Sequence, residues 1–268
     1  MEKKQIKKGR TLVCGDLHGN YKGLVQCLER SNFNNKEDIL ISLGDVVDGH
    51  SQSFEVVETL INIKNLISIK GNHDDWFLQW LNTSINPTDW KQGQKATGIS
   101  YLEHSRPKYP WYEFNIDKTG FDISIKTNDI PDKHIKFFEN QLPYYIDGNN
   151  NLFIHGGFNR HYSLQDQDED IFWWDRDLWS QALSFKSMKA VDHIKQPKFK
   201  MVDEFNEIFI GHTSTQFWGE DIPMNAVNIW NLDTGGGWTG KVTIMDVNTK
   251  EYWQSDNGDI LYPEFKGR

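Results

Sequence analysis

Five short stretches of this chain gather residues that hold divalent cations or move protons. They are Asp16-Leu17-His18, Asp45-Val46-Val47-Asp48, Asn72-His73-Asp74, His155 and His212. Four of them follow a glycine directly (Gly15, Gly44, Gly71, Gly211), and His155 precedes Gly156 and Gly157. Glycine lets the backbone turn sharply and come close to an ion. The donors are carboxylate, imidazole and amide oxygen, with no thiolate, a set that suits Mn, Fe or Zn better than a Ca or Mg cage. Taken singly, each stretch reads as an ordinary turn, a buried histidine or a cap. Five of them, all at comparable places in the chain, point to one metal site.

Those places are the ends of expected strands. Thr11-Leu12-Val13-Cys14 is a buried apolar run that stops at Gly15-Asp16. Ile39 to Leu43 ends at Gly44-Asp45, and Leu66 to Lys70 ends at Gly71. Between them, residues 21–31 (Leu24, Val25, Leu28) and 53–63 (Val56/Leu60, Val57/Ile61) carry helical spacing. This βαβαβ rhythm implies an α/β fold with parallel strands and helical crossovers. In open α/β sheets the carboxyl ends of the strands form the ligand crevice, so the clusters should converge there. Residues 76–142, with Pro87, Pro107, Pro110 and Pro131, read as an irregular, partly helical insertion or cap. Later runs at 151–154, 207–210 and 227–232, with a hairpin-like pair at 240–247 and 250–254, imply a second, more antiparallel sheet.

Composition sets the outer limits. The 268 residues are long enough for one sizeable core, and no linker-like stretch divides them, so one domain over 1–268 is expected. The net charge of −9 argues against a general nucleic-acid-binding surface. The basic start of the chain has no apolar run behind it, and no segment is long enough to span a membrane. A cytoplasmic protein is the expectation. Cys14 and Cys27 carry no disulfide framework. The histidines His104, His134, His161 and His193 lack the strand-end setting, so surface or packing roles are expected for them.

The motifs also carry a family likeness. Gly15-Asp16-Leu17-His18-Gly19, Gly44-Asp45-Val46-Val47-Asp48, Gly71-Asn72-His73, His155-Gly156-Gly157 and Gly211-His212-Thr213 resemble the calcineurin-like metallophosphoesterase signature. More narrowly, the chain is similar to the bacterial and bacteriophage phosphoprotein phosphatase branch, near lambda-type phosphatase and diadenosine tetraphosphatase. The likeness runs from about residue 10 to 247 and takes in Phe172-Trp173-Trp174-Asp175-Arg176-Asp177 and Asn231-Leu232-Asp233-Thr234-Gly235.

The resemblance implies a four-layer αββα sandwich with two divalent metal ions at one edge, Mn first, Fe or Zn as alternatives. It implies that Asp16 and His18 hold one ion, that Asn72, His155 and His212 hold the other, and that Asp45 bridges them. Two such ions lower the pKa of bound water so that hydroxide forms near neutral pH. His73 is then expected to protonate the leaving oxygen, with Asp48 fixing its ring, and Arg176 to grip the phosphate. The family usually continues the second motif with Asp-Arg-Gly, whereas this chain has Asp48-Gly49-His50. The missing arginine removes one phosphate clamp, and His50 reads as an exposed loop residue. Asp74 stands where the family most often has Glu. The first expectation is therefore a phosphomonoesterase acting on phosphoproteins or another small phosphoester. The alternatives are hydrolysis of dinucleoside polyphosphates or other diesters, and a catalytically weak metal-binding interaction module.

Overall fold

In the computed structural model the described residues are 9–105, 126–191, 201–264 and 267. Pro107, Pro110, His193 and the basic N-terminal run lie outside them. The first half builds β1 (Thr11–Cys14), α1 (Tyr21–Arg30), β2 (Ile39–Ser42), α2 (Ser53–Ile61) and β3 (Leu66–Ser68). Then come α3 (Asn72–Thr83), α4 (Gln94–Ser105), α5 (Asp132–Glu139), β4 (Tyr144–Ile146) and β5 (Leu152–Ile154). The rest comprises α6 (Ile171–Trp174), α7 (Asp177–Val191), β6 (Ile208–Ile210), β7 (Met224–Ala226), β8 (Ile229–Asn231), β9 (Thr243–Asp246), β10 (Tyr252–Gln254) and α8 (Gly258–Leu261).

Two five-stranded sheets form, in the orders β10-β9-β1-β2-β3 and β4-β5-β6-β8-β7. Side chains alternate across each strand, and that alternation assigns them to layers. Val13, Ile41, Phe153, Phe209 and Met245 meet between the sheets, with Phe153 stacked on Phe209 at 4.9 Å between centroids. Their neighbours Leu12, Cys14, Leu40 and Ile244 face the other way, toward α1 to α5. Leu152, Ile154, Ile208 and Ile210 likewise turn outward to α6 and α7. The result is the αββα sandwich. Burial pushes the Cys27 thiol up to about 12, so it behaves as an apolar filler. Among the described residues no helix is long and apolar enough to cross a membrane.

Two expectations need correction. The pair β9–β10 belongs to the first sheet, with β9 antiparallel to β1. Ile244 and Met245 are buried on opposite faces, and a strand buried on both faces needs a place inside a sheet covered by helices on one side and by the second sheet on the other. Nor is the second sheet more antiparallel than the first, since each has two parallel and two antiparallel pairings. Its central strands β5, β6 and β8 run parallel, and only the edges β4 and β7 are antiparallel. Phe209→Ala should cost about 3–5 kcal/mol by emptying the space between the sheets, measured as a fall in the urea midpoint.

Candidate active site

The carboxyl ends of β1, β2, β3, β5 and β6 lie along one edge of the sandwich, and backbone bonds tie their loops together. The Asp45 carbonyl accepts from the N–H groups of Leu17 (3.1 Å) and His18 (2.8 Å). Asp45 Oδ1 accepts from His73 N at 3.0 Å. Across the gap between the sheets, His212 N lies 3.2 Å from both oxygens of Asp16, and His155 Nδ1 donates to Leu43 O at 2.7 Å. The loops after β2 and β3 pass so close that no side chain fits between them. A Cβ on Gly44 would lie 2.5 Å from Gly71 N, and one on Gly71 would lie 2.1 Å from Asp45 Oδ1.

The convergence strains the backbone. His18, Asp45, Asp48 and His212 all take left-handed conformations, with φ of 46°, 49°, 66° and 69°. Each such residue costs about 1–3 kcal/mol and persists only where its surroundings hold it. All four are buried. They hold their side chains in a tight group. His18, Asp45 and His73 bring ligand-type atoms within 4.8 Å of one another, and Asp45, His155 and His212 do the same. Asp45 belongs to both groups. Asp16 Oδ2 lies 3.6 Å from His18 Nε2, and Asn72 Oδ1 lies 3.2 Å from His155 Nε2.

These residues fit a pair of cations. Among the described residues, Asp45 Oδ2 and His212 Nε2 are buried with no hydrogen-bond partner. His18 Nδ1 and His155 Nδ1 each donate to a backbone carbonyl, Val47 O and Leu43 O, which leaves Nε2 as the ligating nitrogen of both rings. Burial, then the charges of His155 and Arg176, hold His212 well below the usual histidine range, in its ligating neutral form. Burial opposes charge on Asp45, yet the surrounding imidazoles outweigh it and hold the carboxyl well below its usual range. For His155 burial again works against charge, but the Asp45 carboxylate pushes it up to about 9. A cation would take over that role of the proton.

His73 Nδ1 lies 2.8 Å from Asp48 Oδ2, in the expected pair. Arg176 stands at the exposed rim between α6 and α7, where its Nη1 donates to Thr213 Oγ1 (2.7 Å) and His212 O (3.2 Å).

Gly49, the residue after Asp48, has no room for a side chain. It is buried at φ 120°, and a Cβ there would sit 2.9 Å from His18 Cβ and from His18 O. Nor is His50 an exposed loop residue. It is fully buried, stacked on Tyr262 at 4.6 Å, with Nε2 near Gly236 O and Trp238 O at 3.1 and 3.0 Å. Burial, helped by the His18 charge, lowers it to about 4, so it offers no positive charge in place of the missing arginine. His134 is a packing histidine, held by Tyr101 and Glu58, and His104 stacks on Phe54 at 3.7 Å.

Several supporting residues have roles that the sequence did not give them. Asp74 accepts from Val46 N (2.8 Å), Gly71 N (3.2 Å) and Gln141 Nε2 (2.9 Å), so the shorter acid pins the second strand-end loop to the third. Burial, with the Asp45 charge, pushes Asp74 up to about 7. Trp90 and Thr97 both bond to the Asp48 carboxylate. Trp76 and Trp174 line the approach: Trp76 packs edge-on against His73 at 5.0 Å, Trp174 against His212 at 6.1 Å, and the two indoles meet at 5.0 Å. Asp74 and Trp174 stood in motifs quoted above, whereas no pattern in the sequence marked Trp76, Trp90 or Thr97.

A family model described as calcineurin-like phosphoesterase matches residues 9–216. The chain is 25% identical over 274 aligned positions to a symmetrical bis(5'-nucleosyl)-tetraphosphatase of Neisseria gonorrhoeae (strain NCCP11945), covering 90% of this chain and 93% of that one. It is 39% identical over 71 residues to serine/threonine-protein phosphatase 2 of Escherichia coli (strain K12), covering 26% and 32% of the two chains. A crystal structure provisionally described as a diadenosine tetraphosphatase superposes with a TM-score of 0.60 at 16% identity, covering 94% of this chain and 95% of that one.

Gly49→Ala should lose about 1–3 kcal/mol through its positive φ and the contact with His18. Gly49→Arg should lose at least as much. Urea midpoints of the two variants check this, and an unchanged midpoint would mean that the loop accepts a side chain without strain.

Proposed function

The chain belongs to the calcineurin-like phosphoesterase family, whose members hydrolyse phosphoesters at a dinuclear divalent metal site, and from that premise we propose a nucleoside polyphosphate as its substrate. The observation that carries this reading is the pair Trp76 and Trp174, each packed on a site imidazole. They border a cleft of about 740 Å³ shared with Gln79, Pro87, Thr88 and Asp89. Indole faces stack on nucleobases with about 1–3 kcal/mol per base, and the polar groups beside them can bond to a base edge. The long match to a bis(5'-nucleosyl)-tetraphosphatase supports the same reading. The short match to a serine/threonine phosphatase keeps a second reading, phosphomonoesters on proteins, as its competitor.

Asp16, His18 and Asp45 would hold one cation, and Asp45, Asn72, His155 and His212 the other. Manganese is the first candidate for this oxygen and nitrogen set. When bound, the two cations acidify a water and offset phosphoryl charge. The protein's own groups do the rest. Asp48 orients His73 through Nδ1, so Nε2 gives its proton to the departing oxygen. Arg176, braced by Thr213, offers its guanidinium to the phosphate at the rim. Buried Gly49 adds no second guanidinium, which suits a substrate that spreads its charge along a chain. In this reading Trp76 on α3 and Trp174 on α6 flank the base.

Asp45→Asn should weaken metal binding and phosphate release together by more than the roughly 10- to 100-fold that losing an outer-shell partner costs. Metal analysis alongside turnover checks it, and a folded variant with two metals and native turnover sinks the assignment. For substrate, kcat/KM should be compared for diadenosine tetraphosphate, inorganic tripolyphosphate, nitrophenyl phosphate and a phosphoserine peptide. Trp174→Ala should cost the dinucleotide about tenfold, the equivalent of about 1.4 kcal/mol of stacking, and leave tripolyphosphate within about twofold. A phosphopeptide as best substrate, with no selective effect of Trp174→Ala, would hand the assignment to the phosphoprotein reading.

A further inference from the structure

We propose that Trp90 and Thr97 are positioning residues for proton transfer, clamping Asp48 so that His73 can offer only one ring nitrogen to the substrate. This rests on the reading of His73 as the proton donor, and it assigns a task to the 90–97 stretch that no motif marks.

The Asp48 carboxylate is completely buried. Its Oδ2 accepts from Trp90 Nε1 at 2.5 Å and faces His73 Nδ1 at 2.8 Å. Its Oδ1 accepts from the Thr97 hydroxyl at 2.7 Å. An indole nitrogen can only donate. The Thr97 oxygen also accepts from Asp48 N at 2.9 Å and lies 3.3 Å from Ser53 Oγ, so the carboxylate is the shorter of the two contacts open to its single hydrogen. A donor on each oxygen favours the acceptor-only carboxylate, and that form takes the hydrogen between Asp48 and His73 from Nδ1. That leaves Nε2 as the nitrogen that exchanges the reacting proton. The clamp also fixes direction, because one donor on each oxygen stops the carboxylate from rotating away from the ring.

The turn that brings these donors lies directly on the peptide it holds. A Cβ on Gly93 would lie 2.5 Å from Gly49 N and 2.9 Å from Asp48 Cβ. Trp90 sits just before this turn, and Thr97 lies in the first turn of α4. A competing account is that a buried indole N–H and hydroxyl merely need some acceptor. The two accounts differ in what happens to proton transfer.

The test uses the metal-loaded protein with Thr97→Val and Trp90→Phe, which remove one donor each and keep most of the apolar volume. Turnover is compared for an alkyl phosphate, whose leaving group needs a proton, and nitrophenyl phosphate, whose leaving group does not. Each variant should lower kcat on the alkyl ester on the order of tenfold, with KM within about twofold and a smaller loss on the nitrophenyl ester. Thr97→Ser should restore the native rate. In an Asp48→Ala background, adding Thr97→Val should change kcat by less than about twofold, because the donor acts only through Asp48. Equal losses on both esters, an effect on KM alone, or full additivity with Asp48→Ala would overturn the proposal. His73→Ala separates the two levels of inference. If it too shows no leaving-group dependence, the proton-donor reading fails. If it shows that dependence and the Trp90 and Thr97 variants do not, only the clamp fails. Should Trp90→Phe fail to fold, Thr97→Val and its serine rescue decide the question alone.

Discussion

Asp45 is a buried negative charge at the end of a strand, and a charge in that position has to be answered from every side. Its carbonyl holds the loop after β1, its Oδ1 holds the first turn of α3, and its Oδ2 faces His18 and His155 at 3.4 Å each. Three strand ends are thus positioned by one residue, itself kept in a left-handed conformation by the close passage of Gly44 and Gly71. The strain and the desolvation are affordable only because two rigid sheets, locked by Phe153 and Phe209, meet behind the site. Remove the positive partners and Asp45 becomes a liability. Supply two cations and the same geometry becomes the most favourable arrangement available to it.

Much of this was legible in the sequence because it was written locally. A buried apolar run that ends in glycine and a carboxylate marks a strand end, and parallel strands separated by helices put such ends on one edge. Asp16, His18, Asp45, Asn72, His155 and His212 come together for that reason, and His73 meets Asp48. What stayed hidden was written at long range. Trp90 and Thr97 stand 42 and 49 positions from the carboxylate they hold, in a segment with no periodicity to read. His50 looked like a loop residue because its cover, Gly236, Trp238 and Tyr262, lies near the other end of the chain. The hairpin of β9 and β10 was visible as a hairpin, but its sheet was not. Only the partnership with β1 decides that.

The same partnership bears on how the protein is made. Val13 of β1 pairs on one side with Ile41 of β2, and on the other with Met245 of β9. The first neighbour leaves the ribosome almost at once. The second arrives only after nearly all of the intervening chain has been synthesised. Until then β1 is an edge strand with one row of backbone groups exposed, and the loop carrying Asp16 and His18 is anchored from one side only. Non-local pairing of this kind is slow, and it leaves an apolar edge open to wrong partners in the meantime. The nascent protein must therefore pass through a stage in which much of the metal-binding machinery exists as sequence but the sheet beneath it is incomplete.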